Sequence, residues 1–234
     1  MTTRRTRILA ILSEKGGAGK TTTVIHVAVA ALLMGQEVAV LDLDPQASAA
    51  DWCDRRGGKP EGVSVPVARL AKVLVDLNDN EVDLAITDTP REANNISYVA
   101  AQCADGILIP LKPAGFDFRA LVRTLEICHL AKKTPFVLLN GIKPGAHRIE
   151  ADARETVGDL VERHYLDTGV RLQCAVAPIV LHEWAAVRDA AITTKTVQET
   201  EPESEGAAEV RALYLWIAQQ LELSATQQHE KARA

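Results

Sequence analysis

The chain has 234 residues, 47% of them apolar and only 4% aromatic, with a formal charge of −5. That length favours one sizeable core over two thin ones, and the acidic balance leaves any nucleic-acid binding to a local basic patch. Cys53, Cys103, Cys128 and Cys174 form no C-x-x-C pair and the six histidines show no ligand spacing, which argues for reduced thiols in a cytosolic setting and against a disulfide framework or a zinc site.

β-rich runs are predicted at Arg7–Leu12, Glu37–Asp42, Val63–Val67, Val82–Thr87, Gly106–Pro110, Phe136–Asn140 and Leu172–Ala177. They alternate with helical patterns at Lys20–Met34, Ser48–Arg56, Ala68–Leu77, Ile96–Ala101, Phe118–Lys132, Ile149–His164, Glu183–Ala191 and Ala207–Leu223. This rhythm predicts a doubly wound α/β fold: a mostly parallel sheet with helices on both faces, in a single domain over 1–223. Gly35 is placed to cap the first helix and Pro135 to stop the Phe118–Lys132 helix. Ser224 to Ala234 is polar and is expected to be a disordered tail. The apolar run after Arg4, Arg5 and Arg7 is too short for a signal peptide, and Val24–Met34 is too short to span a bilayer. A soluble protein is expected.

The chemistry concentrates in Ser13-Glu14-Lys15-Gly16-Gly17-Ala18-Gly19-Lys20-Thr21-Thr22, between the first strand and the first helix. Glycines let consecutive backbone N–H groups turn inward, and the helix N-terminus adds partial positive charge. Lys20 can reach the β/γ-phosphates of a nucleoside triphosphate, and the Thr21 hydroxyl suits Mg²⁺. Position 14, where the usual G-x-x-x-x-G-K-[ST] loop has its first glycine, is Glu14, and a second lysine, Lys15, follows. Leu41-Asp42-Leu43-Asp44-Pro45-Gln46 and Val82-Asp83-Leu84-Ala85-Ile86-Thr87-Asp88-Thr89-Pro90 each bring aspartates to a strand end. Ligands of open α/β sheets bind at that edge. Asp88 has the Walker B placement, to hold Mg²⁺ through water.

Lys-Gly-Gly-x-Gly-Lys-Thr-Thr resembles the deviant Walker A box of the ParA/MinD group of P-loop ATPases. The resemblance covers essentially the whole chain and is strongest in the first half; it is nearest the small ParA-type partitioning ATPases without an appended helix-turn-helix module. It implies an ATP- and Mg²⁺-dependent ATPase of slow intrinsic turnover, with Lys15 to Thr22 holding nucleotide and Lys15 reaching the partner subunit's phosphates in an ATP-driven homodimer. It gives Asp44 the attacking water and leaves Asp42 to assist the Mg²⁺ shell through water. Family members usually read I-I-D-x-P-P where this chain has Thr87 before Asp88 and Arg91 after Pro90, so the switch loop is atypical. By the same resemblance Asn140 faces adenine and Pro178 flanks the base, although Asn140-Gly141 equally suits a turn. No N-K-x-D box for guanine is present, which favours ATP over GTP.

Arg119, Arg123, Lys132, Lys133, Lys143 and Arg148 form a basic stretch broken only by Glu126. Arg188, Lys195 and Arg211 form a second. Either is a candidate for nonspecific double-stranded DNA, with steep salt dependence, or simply a solvated face. The resemblance implies a nucleoid-associated state when ATP is bound, release triggered by a ParB-like or cargo adaptor, and a plasmid, chromosome or protein assembly as cargo. Two alternatives compete. A MinD-like membrane-positioning ATPase needs an apolar face that the tail lacks, and a metabolic ligase or iron–sulfur carrier of related fold needs an acid-substrate site or paired cysteines.

Overall fold

The computed structural model describes residues 5–91 and 93–223; the reading of 224–234 as a tail lies outside them. Strand β1 (Arg7–Ile11) runs through the middle of a seven-stranded sheet. Leu9 and Ile11 enter one core cluster, and Ile8 and Ala10 enter the other. That period-2 alternation with both faces apolar is what a strand covered on both sides requires. Strands β2 (Val38–Asp42) and β4 (Leu84–Asp88) are buried at every residue. With β3 (Glu61–Ser64), β5 (Gly106–Leu111), β6 (Phe136–Ile142) and β7 (Ala175–His182) they pair in the order β3-β2-β4-β1-β5-β6-β7, all parallel.

Helices cover both faces. On one lie α1 (Lys20–Leu33), α7 (Ala185–Thr193) and α9 (Glu205–Gln220), with Val24, Val27, Val187, Val210, Leu213 and Ile217 packed on the sheet. α2 (Ser48–Arg56) inserts Trp52 into the same core. On the other lie α4 (Asn94–Cys103), α5 (Gly115–Leu130) and α6 (His147–Thr168), through Ala100, Leu121, Leu125, Ala153 and Val157. Each fully buried aliphatic side chain stabilises the fold by about 1.5–3 kcal/mol. α3 (Leu70–Asp79) is mostly exposed apart from Leu70. The short α8 (Val197–Thr200) carries a capping box between Thr196 and Glu199, and Arg56 of α2 closes on Glu199 at 2.7 and 2.9 Å.

Register places the site. Ile11 and Asp42 both pair with Asp88, so the ends of β1, β2 and β4 stand level. β7 departs from expectation: it starts and ends later, at Ala175 and His182, with irregular pairing to β6. Glu209 of α9 fixes its exit, accepting from the His182 and Trp184 side chains at 2.6 and 2.9 Å. No helix of the described residues is long and apolar enough to cross a membrane.

Candidate functional site

The loop between β1 and α1 curls over the carboxyl edge of the sheet. Gly17 and Gly19 take φ of 77° and 96°, a region that side chains with a Cβ rarely adopt. Gly19 is doubly constrained, because a Cβ there would stand 2.2 Å from Nδ2 of Asn140. It is also the N-cap of α1 and supplies no side-chain acceptor, so the first N–H groups of α1 remain open for an anion. Around them lies a cleft of about 350 Å³ lined by Gly16, Gly17, Gly19, Lys20, Thr21, Thr22, Asp44, Thr89, Arg91 and Lys112.

Lys20 bends back across the loop. Its Nζ donates to the Ser13 carbonyl at 2.9 Å and the Lys15 carbonyl at 3.4 Å, and burial lowers its pKa against the opposing pull of Asp88, Asp44 and Glu14. Thr21 Oγ1 donates to Asp88 Oδ2 at 2.6 Å, while Asp88 Oδ1 is buried without a hydrogen-bond partner. Burial pushes the Asp88 carboxyl up to about 7. A hydroxyl beside a buried carboxylate with an orphaned oxygen is an oxygen donor set that fits Mg²⁺, and a divalent charge would hold the carboxylate ionised. Asp44 lines the cleft and accepts from the Gln46 N–H at 2.9 Å.

Asp42 is used otherwise than expected. Its Oδ1 accepts from the Asp44 N–H, and its Oδ2 accepts from the N–H groups of Ala49 and Ala50 at 2.7 and 3.1 Å. Both oxygens thus serve backbone N–H groups, tying the Asp44 turn to the first turn of α2, a structural use that the expected place in the Mg²⁺ shell did not include. Glu14 is buried under the loop: its Oε1 accepts from Ser97 Oγ at 3.1 Å, and its N–H donates to Thr124 Oγ1 at 3.2 Å. The usual glycine position has become a peg joining the loop to α4 and α5.

Lys15 points away from its own cradle, with Nζ 3.5 Å from Asp117 Oδ1 in the first turn of α5. Asn140 reaches the loop, but its Nδ2 donates to the Ala18 carbonyl at 2.8 Å; here it clamps the cradle. Pro178 lies within β7, and Leu181 is the residue that pairs with Asn140. The loop at the carboxyl edge is therefore Glu183–Trp184, which corrects the placement of Pro178 beside the base. Arg91 and Lys112 line the cleft without having been singled out as ligands; each follows a strand end, at the edge of the sheet where ligands of such folds bind.

The basic residues do not gather into one patch. Helices returning from a parallel strand run from the carboxyl edge back to the amino edge, so Arg119, Lys143 and Arg148 lie toward the cleft end. Lys132 and Lys133 lie at the opposite end, where Lys133 Nζ donates to the Ala104 carbonyl at 2.6 Å. Arg188 and Arg211 sit on α7 and α9, which cover the other face, and Lys195 follows α7. Arg188 pairs with Asp189 at 3.1 Å, and Arg211 donates to the Pro202 carbonyl at 3.2 Å.

A glycine-rich cradle between the central strand of a parallel sheet and a long helix, with a lysine, a threonine and a strand-end aspartate around it, defines a phosphate-binding α/β protein of the P-loop class. The chain belongs to the CobQ/CobB/MinD/ParA nucleotide binding domain family, whose model matches residues 9–181. It is 32% identical over 154 residues to the maintenance of carboxysome distribution protein A of Gloeobacter kilaueensis, covering 64% of this chain and 70% of that one. It is 27% identical over 250 residues to the chromosome-partitioning ATPase Soj of Thermus thermophilus, covering 89% and 94%. Among solved structures, an ATP complex of a McdA variant from Cyanothece superposes with a TM-score of 0.68 at 18% identity, covering 94% of this chain and 98% of that one.

Proposed function

We propose that the chain is an ATP-dependent positioning ATPase of the partitioning kind, acting as a nucleotide-gated homodimer. The observation that carries this reading is the division between the two lysines: Lys20 fills the cradle, while Lys15 stands outside it on Asp117 at 3.5 Å. A lysine of the phosphate loop that does not face its own phosphate site is free to serve another subunit's. Family membership and the relatives named for chromosome partitioning and carboxysome distribution support the same class.

The chain's residues divide the work. Backbone N–H groups of Gly16 to Thr22 nest the phosphates, and Lys20 leaves the Ser13 carbonyl to meet the β/γ oxygens. Thr21 and Asp88 would hold Mg²⁺, which supplies charge neutralisation on the phosphates. Asp44, on a turn fixed by Asp42, accepts from and orients the attacking water. Lys15 of the second copy adds positive charge to the transition state, a contribution worth about three to five orders of magnitude for arginine fingers elsewhere. Slow turnover in isolation follows from that dependence, and a ParB-like or cargo adaptor, as in the family resembled, would stimulate it.

Pairing would bring two copies of Arg119, Lys143 and Arg148 together near the cleft ends, a surface for nonspecific double-stranded DNA, and so place the ATP form on the nucleoid. The test is size-exclusion chromatography of the Asp44→Ala chain. ATP should give a dimer, ADP a monomer, and adding Lys15→Ala should abolish the pairing. A monomer under every condition refutes the gated dimer. DNA retention should need ATP, fall steeply with salt and vanish in Lys20→Ala; retention indifferent to nucleotide refutes the DNA gate.

A further inference from the structure

Arg91 grows from an anchored stem. β4 ends at Asp88, Thr89 and Pro90 are buried, and Thr89 Oγ1 donates to the Ile11 carbonyl of β1 at 2.9 Å. From there the exposed Arg91 side chain lies over the phosphate loop. Its Cδ and Nη1 come within 3.3 and 3.4 Å of where a Cβ on Gly16 would stand, so the absence of a side chain at Gly16 gives it room.

It lines the same cleft as Lys20, Thr21 and Asp44. After burial, which is the main cause, its charge also helps depress the Lys20 ammonium. Among the described residues Arg91 has neither a carboxylate partner nor a hydrogen bond. Two like charges facing one cleft with no carboxylate on the guanidinium repel each other, and a polyanion between them removes the repulsion. The stem also fixes which part of a nucleotide Arg91 meets. It leaves the sheet next to Asp88 and across from Asp44, on the metal and water side of the cradle, where the terminal phosphate of a triphosphate lies.

We propose that Arg91 is a ligand, within its own subunit, of the terminal phosphate, so that a single chain distinguishes a triphosphate from a diphosphate before a second copy supplies Lys15. This rests on reading the cleft as the nucleotide site. Arg91 reads the third phosphate and Lys15 bridges to the partner; nucleotide sensing and pairing are separable steps.

The experiment measures equilibrium affinities for ADP and for the β,γ-imido analogue of ATP, both with Mg²⁺. It uses the full chain carrying Lys15→Ala, so that pairing contributes nothing. Arg91→Ala should weaken the analogue about 10- to 100-fold, the worth of one hydrogen-bonded charge contact, and leave ADP within about twofold. Arg91→Lys should fall between, since a point charge replaces the fork. Unchanged ADP affinity shows that the cradle is folded. Equal loss for both nucleotides, or no loss for either, overturns the proposal. If the chain with both Lys15 and Arg91 intact takes up neither nucleotide, the nucleotide reading of the cleft fails, and the role of Arg91 with it.

Discussion

Acidification should unfold this chain partly through one side chain, His26. It lies on α1 one turn beyond the cradle, 1% exposed, with Nδ1 2.9 Å from the Thr22 carbonyl and Nε2 without a partner. Burial lowers its pKa to about 4 from 6.5. A base whose folded pKa is depressed contributes stability that is present above the unfolded value and lost as pH falls from 6.5 toward 4. The distance between those two values sets a ceiling of about 3 kcal/mol, of which about 2 kcal/mol is lost between pH 8 and pH 5. That is a sizeable part of a typical 5–15 kcal/mol stability. Urea unfolding followed by tryptophan fluorescence at both pH values, for the natural chain and His26→Leu, isolates the contribution, because every other titrating group is shared. The variant should lose about 2 kcal/mol less on acidification. Identical pH dependence in the two chains refutes the reasoning.

Gly19→Ala should lose nucleotide binding and be destabilised by about 1–3 kcal/mol, because it places a Cβ 2.2 Å from the Asn140 amide at a φ of 96°. Thermal unfolding and nucleotide titration check this, and Asn140→Ala in the same chain should recover part of the stability. Lys20→Ala should weaken ATP about 10- to 100-fold in calorimetric titration while keeping the fold, since its ammonium rests on two carbonyls that α1 does not need.

The strands around the cradle were legible because β1, β2 and β4 are short apolar runs, the first leading into the glycine-rich loop and the other two ending on aspartates, which period and turn chemistry expose directly. β7 was misplaced because Pro178 reads as a strand end; as the edge strand of the sheet, β7 tolerates a proline that a central strand would not. α8 was missed because four residues carry no period, although Thr196 and Glu199 have capping-box spacing. Asp42 and Asp44 look alike in sequence, and only the direction of the chain after Leu43 decides that one feeds α2 and the other the cleft. Arg91 and Lys112 sit on loops, where a cation leaves no pattern. Its departure from the family's second proline was the one visible sign of Arg91.

The two-sided grip of Asp42 has a mechanical consequence. One oxygen holds the turn that carries Asp44, and the other holds the head of α2. Farther along, that helix is bolted to α7 through Trp52 and the Ala190 carbonyl, and to α8 through Arg56 and Glu199. Any rearrangement that swings Asp44 therefore pulls on a rod whose other end grips α7 and α8 on the same face of the sheet.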